Sequence, residues 1–131
     1  MKITILSIPV KDQEKALQFY TEKLGFIIKK NETLKNGHKW ITLVSKVDID
    51  GVELLLEPSP LHFEPANVFQ NALFDAGIPY TQLDVNNVDD EYERLLQLGV
   101  EFSYKPTTMD TVKFAIFNDT CGNYIQIVEY L

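Results

Sequence analysis

The chain has 131 residues, of which 45% are hydrophobic and 24% charged, and this suits one globular domain with an ordinary core. Nineteen acidic residues against twelve basic ones give a net charge of −7 without a basic run, which excludes nucleic acid and anionic membrane as main partners. No apolar stretch approaches the roughly 18 residues of a membrane-spanning helix, and the first residues carry no cleavage signal, so we expect a cytoplasmic protein. The single cysteine, Cys121, excludes an internal disulfide.

The first half of the chain is predicted to fold in the order β-α-β-β-β. Residues 3–10 are rich in β-branched side chains and predict a strand, and Asp12 offers a side-chain oxygen that caps the following helix. Apolar residues at helical spacing continue to Leu24, and Gly25 provides a left-handed stop. Three further strands are predicted over residues 26–30, 39–45 and 52–57.

A proline-containing connection leads to a second set of the same elements. Residues 58–65 are predicted to form a loop, and residues 66–76 a helix that ends at Gly77. The next helix is capped by Asn87 and stops at Gly99. The strands of this second set are predicted over residues 80–85, 101–104, 112–117 and 123–129.

The two halves repeat each other at an offset of roughly 70 to 75 residues, as in duplicated folds. Leu24-Gly25-Phe26 is matched by Leu98-Gly99-Val100, and Gly51 precedes a strand as Gly122 does. We therefore predict a single domain over residues 1–131, made of module 1–58 and module 78–131, joined by a loop and helix over residues 59–77. A doubled unit tends to place its site between the copies.

Four motifs carry a resemblance to a known family. They are Ile8-Pro9-Val10-x-Asp12, Ala16-Leu17-x-Phe19-Tyr20, Leu24-Gly25-Phe26 and Asp119-x-x-Gly122-Asn123-x-Ile125. In this order they resemble the vicinal oxygen chelate superfamily, which includes glyoxalase I, extradiol dioxygenases and bleomycin and fosfomycin resistance proteins. The resemblance implies an α+β fold in which two tandem βαβββ modules form a curled, cup-shaped mixed sheet with helices outside. It also implies a homodimer, but it does not specify a reaction.

The resemblance implies a position for a divalent metal, because family enzymes hold one with ligands from the first and last strands of each module. These positions fall on Ile5, Leu54, Tyr80 and Gln126, with Glu53 one residue out of register. A transition metal needs several N, O or S donors at about 2.0 to 2.3 Å, and Ile5 and Leu54 supply none. We therefore predict no metal and no other cofactor, unless this ligand register is wrong.

The predicted ligand-binding residues are Tyr80, Gln126, Trp40, Glu53 and Glu57, and no catalytic residue is assigned. The resemblance places Tyr80 and Gln126 in the cup, where a phenol and an amide suit a polar organic ligand, although they also suit pairing with each other. Trp40 either stacks on a ligand or packs in the core.

Other polar residues have a simpler interpretation beside a functional one. Glu57 and Glu129 end their strands at matching places, which suits an acid–base pair or merely solvated strand ends. His38 is interpreted as a turn residue, His62 as a residue of the surface loop with a possible role at the rim of the cup, and Cys121 as a turn thiol.

Three functional hypotheses follow. The favoured one is a metal-free member of the superfamily that binds a small aromatic or amphipathic molecule. The second is a glyoxalase-like lyase or isomerase, or a dioxygenase-like oxygenase, with shifted ligands among Glu53, Glu57, His62 and Gln126. The third is a structural module in which apolar side chains fill the cup. Metal analysis separates the first two, and the absence of a pocket of about 300 Å³ or more favours the third.

Overall fold

The structure contains two four-stranded sheets, one in each half of the chain. It is a computed structural model that describes residues 1–131. The chain forms two compact units, Met1–Asn67 and Val68–Leu131. Both sheets are mixed, since one strand pair in each is parallel and the others are antiparallel. This arrangement confirms the α+β class with two βαβββ modules.

The first unit begins with β1 (Ile5–Val10), followed by α1 (Gln13–Gln18), which continues in a π-helical turn (Phe19–Lys23). The remaining elements are β2 (Ile27–Thr33), β3 (Lys39–Val44), β4 (Glu53–Pro58) and the short α2 (Ser59–His62). The strand order is β1-β4-β3-β2, with β1 and β4 parallel.

Local signals place α1 as expected. The Asp12 carboxylate accepts a hydrogen bond from the backbone N–H of Lys15 at 3.0 Å, which satisfies a donor that the first helical turn leaves unpaired. Gly25 has a φ of +81°, in the left-handed region that ends helices. The helical segment buries Ala16, Phe19 and Tyr20, whereas Leu17 and Leu24 are half-buried.

The second unit repeats this plan. α3 (Glu64–Asp75) leads into it, and its elements are β5 (Thr81–Asp84), α4 (Val88–Gln97), β6 (Phe102–Met109), β7 (Val112–Asn118) and β8 (Tyr124–Tyr130). The strand order is β5-β8-β7-β6, with β5 and β8 parallel. Asn87 caps α4 by accepting a hydrogen bond from the N–H of Asp90 at 2.8 Å. No helix of the chain is long and apolar enough to cross a membrane.

The largest differences from the predicted boundaries lie in the connection between the units and in β6. The expected loop over residues 58–65 contains α2, and α3 already begins at Glu64. Pro60 and Pro65 each lie in the first turn of their helix, where a missing amide donor is tolerated. β6 is longer than predicted because its pairing with β7 resumes after register shifts, one of which spans Pro106, a residue without an amide donor.

Each sheet has one face covered by its own helix. In the first unit α1 packs against β4, and five side chains of this face of the sheet are fully buried: Ile8, Val10, Ile41, Leu43 and Leu56. In the second unit α4 packs against β6, β7 and β8, over Phe117, Ile125 and Ile127. We call the opposite face of each sheet its distal face. Because side chains alternate along strands, register decides which candidate residues reach the distal faces.

Candidate functional site

Two glutamines lie side by side on the distal face of the second sheet. Gln82 of β5 and Gln126 of β8 are register partners, and Nε2 of Gln126 donates a hydrogen bond to Oε1 of Gln82 at 2.8 Å. Nε2 of Gln82 donates in turn to the Tyr130 hydroxyl at 3.3 Å. Each amide has two N–H donors and an oxygen with two lone pairs, so both retain hydrogen-bonding capacity.

Tyr80 precedes β5 and, by strand alternation, lies on the same distal face as Gln82. Its backbone N–H donates to the carbonyl of Tyr124 at 2.8 Å, and its ring meets Phe69 edge to face at 6.5 Å. The Tyr80 hydroxyl has no hydrogen-bond partner within the second unit, and burial raises the pKa of this phenol above its ordinary value. Tyr80 is therefore a neutral donor on the same face as Gln126, and the two side chains are not hydrogen-bonded to each other.

Aromatic side chains lie on the same face of the sheet as these polar groups. Tyr124 stacks in parallel on Phe74 with ring centroids 4.4 Å apart, and Tyr104 stacks on Phe114 at 5.7 Å. Tyr104 is 53% exposed, so part of this aromatic surface is in contact with solvent. Flat apolar surface next to a few neutral hydrogen-bonding groups is the usual composition of a site for an organic molecule.

In the first unit, Glu53 rather than Leu54 shares a face with Ile5. Glu53 is the register partner of Ile5, whereas Leu54 is the partner of Leu43 on the helix-covered face. The expectation that Leu54 occupies the site position is therefore wrong, because directly opposed residues point to one face and successive residues to opposite faces. Oε1 of Glu53 accepts a hydrogen bond from Thr42 Oγ1 at 2.6 Å, so this carboxylate is held against the sheet.

Trp40 and Glu57 line one cavity where β3 begins and β4 ends. It has a volume of about 170 Å³, and His38 and His62 also line it. Nδ1 of His62 lies 3.4 Å from Oε2 of Glu57, and the two side chains are 52% and 23% exposed. The structure thus brings together two predicted ligand-binding residues, Trp40 and Glu57, and both histidines. The simpler interpretation of His38 was a turn residue, and that of His62 was a residue of a surface loop. Pro58 and Pro60 were the available signal, since a helix beginning there turns His62 back towards Glu57.

The expected matching of Glu57 with Glu129 is wrong. Glu129 alternates with Ile125 and Ile127 on the helix-covered face, and its Oε2 accepts a hydrogen bond from the N–H of Val88 at 2.9 Å. A carboxylate at the start of α4 satisfies a free N–H group and interacts favourably with the helix dipole. Glu129 is thus a helix cap. Glu57 lies on the distal face of its own sheet, as Glu53 does.

The motif at the end of the chain is structural. Oδ1 of buried Asp119 accepts hydrogen bonds from the N–H groups of Cys121 and Asn123 at 2.7 and 3.0 Å, and its Oδ2 accepts one from Asn123 Nδ2 at 2.8 Å. Nε2 of Gln70 donates to the Cys121 carbonyl and to Asn123 Oδ1, both at 3.1 Å. The Cys121 thiol is buried within this turn, which supports its interpretation as a turn residue.

The donor chemistry of the implied metal positions does not fit a transition metal. No three His, Cys, Asp or Glu side chains are grouped in a way that holds a metal ion. At the implied positions the first unit offers Ile5 and the hydrogen-bonded Glu53, and the second offers the phenol of Tyr80 and the amide of Gln126. Structural and catalytic sites for such metals use imidazole, thiolate or several carboxylates.

Residues 2–127 match the family model described as the Glyoxalase/Bleomycin resistance protein/Dioxygenase superfamily. The chain therefore belongs to this superfamily, as its motifs predicted. It is similar to the uncharacterized protein YurT of Bacillus subtilis (strain 168), with 50% identity over 129 residues that cover 98% of this chain and 99% of that protein.

Solved structures show the same fold. The crystal structure of UcmS2 matches with a TM-score of 0.83 and 32% identity, covering 98% of each chain. TnmS3, described as an antibiotic binding protein from Streptomyces sp. CB03234, matches with a TM-score of 0.77 and 25% identity, covering 100% of this chain and 97% of that chain. These similarities confirm the predicted family and fold class.

Proposed function

We propose that this protein binds a small aromatic or amphipathic organic molecule on the distal face of its second sheet, without a divalent metal. The observation that carries the proposal is the hydrogen-bonded chain of Gln126, Gln82 and Tyr130, on the same face of the sheet as Tyr80. These groups are neutral, and two stacked aromatic pairs involve side chains of the same face.

The balance of forces favours a neutral or cationic ligand. A net charge of −7 repels anions at long range. Stacking of a ligand ring on an aromatic side chain contributes about 0.5–1.5 kcal/mol beyond burial of area. Hydrogen bonds to neutral amides and phenols each add about 0.5–1.5 kcal/mol and fix the orientation of the ligand.

The similarity to TnmS3 supports this ligand class. That protein is described as antibiotic binding, and its fold matches that of this chain over the full length. We propose that the present protein sequesters an antibiotic-like aromatic compound and does not transform it. We also propose that it acts in the cytoplasm as a homodimer, and sedimentation as a monomer at micromolar concentration contradicts the dimer.

An enzymatic function is the second candidate, and the contact between His62 and Glu57 favours it. A carboxylate next to one imidazole nitrogen orients the ring and leaves the other nitrogen available for proton transfer. A glyoxalase-like lyase or a dioxygenase-like oxygenase of the superfamily uses a metal in addition. Stoichiometric zinc, nickel, manganese or iron in protein purified without a chelator supports this candidate over the first.

Calorimetric titration with a panel of polycyclic aromatic antibiotics tests the binding proposal. We expect Gln126→Ala and Tyr80→Phe to weaken binding, each by about fivefold or more, because each removes a hydrogen bond from a partly buried site. Gln97→Ala and Tyr92→Phe are matched controls, since Gln97 lies on the exposed surface of α4 and the Tyr92 ring packs on Phe102. Unchanged binding of every ligand by both site variants contradicts the proposal.

A further inference from the structure

We propose that the cavity lined by Trp40, Glu57 and His62 in the first unit is a binding site for a single aromatic ring that carries a hydroxyl or amino group. This inference goes beyond the proposed function, because it assigns a ligand class to a second surface of the same protein, in the first unit.

The size of the cavity fits one ring. Its volume is about 170 Å³. An apolar cavity of about 150 Å³ in another protein accepts benzene. A monocyclic aromatic group therefore fills this space, whereas a fused polycyclic system exceeds it.

The wall of the cavity is apolar on the side of the sheet. Leu34, Leu55 and the indole of Trp40 form much of it, and Leu55 is only 4% exposed. An indole face next to leucine side chains favours a flat apolar group, which stacks in an offset or edge-on arrangement. This surface holds the ring of the ligand but does not select its substituents.

Glu57 supplies the polar contact. Its side chain is only 23% exposed, and its one polar partner in the first unit is Nδ1 of His62, 3.4 Å from Oε2. A carboxylate has about four acceptor sites, and a largely buried carboxylate is normally satisfied by several donors. No group of the first unit donates to Oε1 of Glu57, and this oxygen is accessible to solvent, so a hydroxyl or amino group on the ring can donate to it.

Space for substituents adjoins this cavity. A neighbouring cavity of about 250 Å³ shares His38, Lys39 and Pro58 with the first as lining residues. The Lys39 ammonium is already paired with Glu14 at 2.6 Å, so this second space has no unpaired lysine to attract an anion. A larger ligand can thus place one ring against Trp40 and extend along Lys39.

The only tryptophan of the chain provides a specific probe. The indole N–H signal of Trp40 in a proton–nitrogen NMR correlation spectrum reports on this cavity alone. We expect phenol to shift this signal in a saturable manner. Anisole has the same ring but no hydrogen-bond donor. We expect it to bind at least about tenfold more weakly than phenol, because it cannot make a hydrogen bond to the charged carboxylate.

A charge-removing variant tests the role of the carboxylate. Glu57→Gln keeps the size of the side chain, and we expect it to weaken phenol binding about fivefold or more. Glu91→Gln is the control, because Glu91 is ion-paired with Arg94 on α4 in the other unit. If Glu57→Gln fails to fold, the comparison of phenol with anisole on the unmodified protein still decides the question.

The possible outcomes separate this inference from the proposed function. No saturable shift of the Trp40 signal by phenol, or equal affinities for phenol and anisole, overturns the inference. If Gln126→Ala still weakens binding of a polycyclic ligand in that case, the proposed function stands alone. If the polycyclic ligands fail as well, both proposals are overturned.

Discussion

Gln82 and Gln126 share a hydrogen bond of 2.8 Å across the parallel strands β5 and β8, and Gln126 occupies a position to which the family resemblance assigns a metal ligand. Two amides hydrogen-bonded to each other are neutral and bind transition metals weakly compared with imidazole or thiolate. The pair instead offers donors and acceptors that suit a polar organic group. This relationship is the basis of the proposed metal-free binding.

Glu129 is expected to stabilise the fold without affecting ligand binding. Glu129→Gln removes the charge that caps the N–H of Val88 and interacts with the dipole of α4. We predict a loss of about 1 kcal/mol in the free energy of unfolding, measured by urea denaturation. Glu101→Gln is an exposed control in the same unit. A loss of ligand affinity at unchanged stability contradicts the capping role.

Asp119 is expected to be far more important for stability than an exposed acidic residue. Asp119→Ala leaves three hydrogen-bond donors of the last turn without their acceptor, namely two backbone N–H groups and the Asn123 amide. Each buried unsatisfied group costs about 1–3 kcal/mol, so we predict a loss of about 3 kcal/mol or more. Asp75→Ala on the exposed end of α3 serves as the control. Equal unfolding midpoints of the two variants refute this assignment.

Leu56 tests the assignment of the first unit's core. Its side chain is fully buried on the helix-covered face, so Leu56→Ala is predicted to lower the free energy of unfolding by about 2–5 kcal/mol. Leu61 on α2 is 69% exposed, and Leu61→Ala is expected to change stability by less than about 0.5 kcal/mol. The two variants remove the same atoms, so a similar effect on stability contradicts the assignment of Leu56 to the core.

Tyr80 is expected to ionise at a higher pH than an exposed tyrosine. Burial disfavours the phenolate and raises the pKa of Tyr80 in the folded protein. The folded state therefore holds this proton more tightly than the unfolded state. The contribution of the protonated Tyr80 to the free energy of unfolding is fully present below the ordinary tyrosine pKa. It is lost as pH rises through the raised pKa. The difference in tyrosinate absorbance between the unmodified protein and Tyr80→Phe measures this ionisation, and a midpoint at or below the ordinary value contradicts it.

The sequence was sufficient for most of the fold because its strongest signals are local. The caps Asp12 and Asn87 and the stops Gly25 and Gly99 lie next to the helices that they bound, and the structure has the helices there. The length of β6 was underestimated because its later pairing depends on contacts with β7 across register shifts, which no local pattern records.

The candidate site was less predictable because it depends on strand register and on a short helix. The family resemblance implied Tyr80 and Gln126 as site residues, but it did not point to the amide partner Gln82, since pairing between strands is a long-range property. Glu53 was placed on the wrong face by a shift of one residue. His62 was interpreted mainly as a loop residue because a four-residue helix leaves almost no periodic pattern.

Calorimetric titration of an aromatic ligand in the presence and absence of EDTA tests the central claim most directly. The claim is that neutral side chains around Gln82 and Gln126 bind the ligand without a metal. We predict the same affinity with and without the chelator, and loss of affinity in Gln126→Ala under both conditions. Binding that EDTA abolishes, and that zinc, nickel, manganese or iron restores, contradicts the claim.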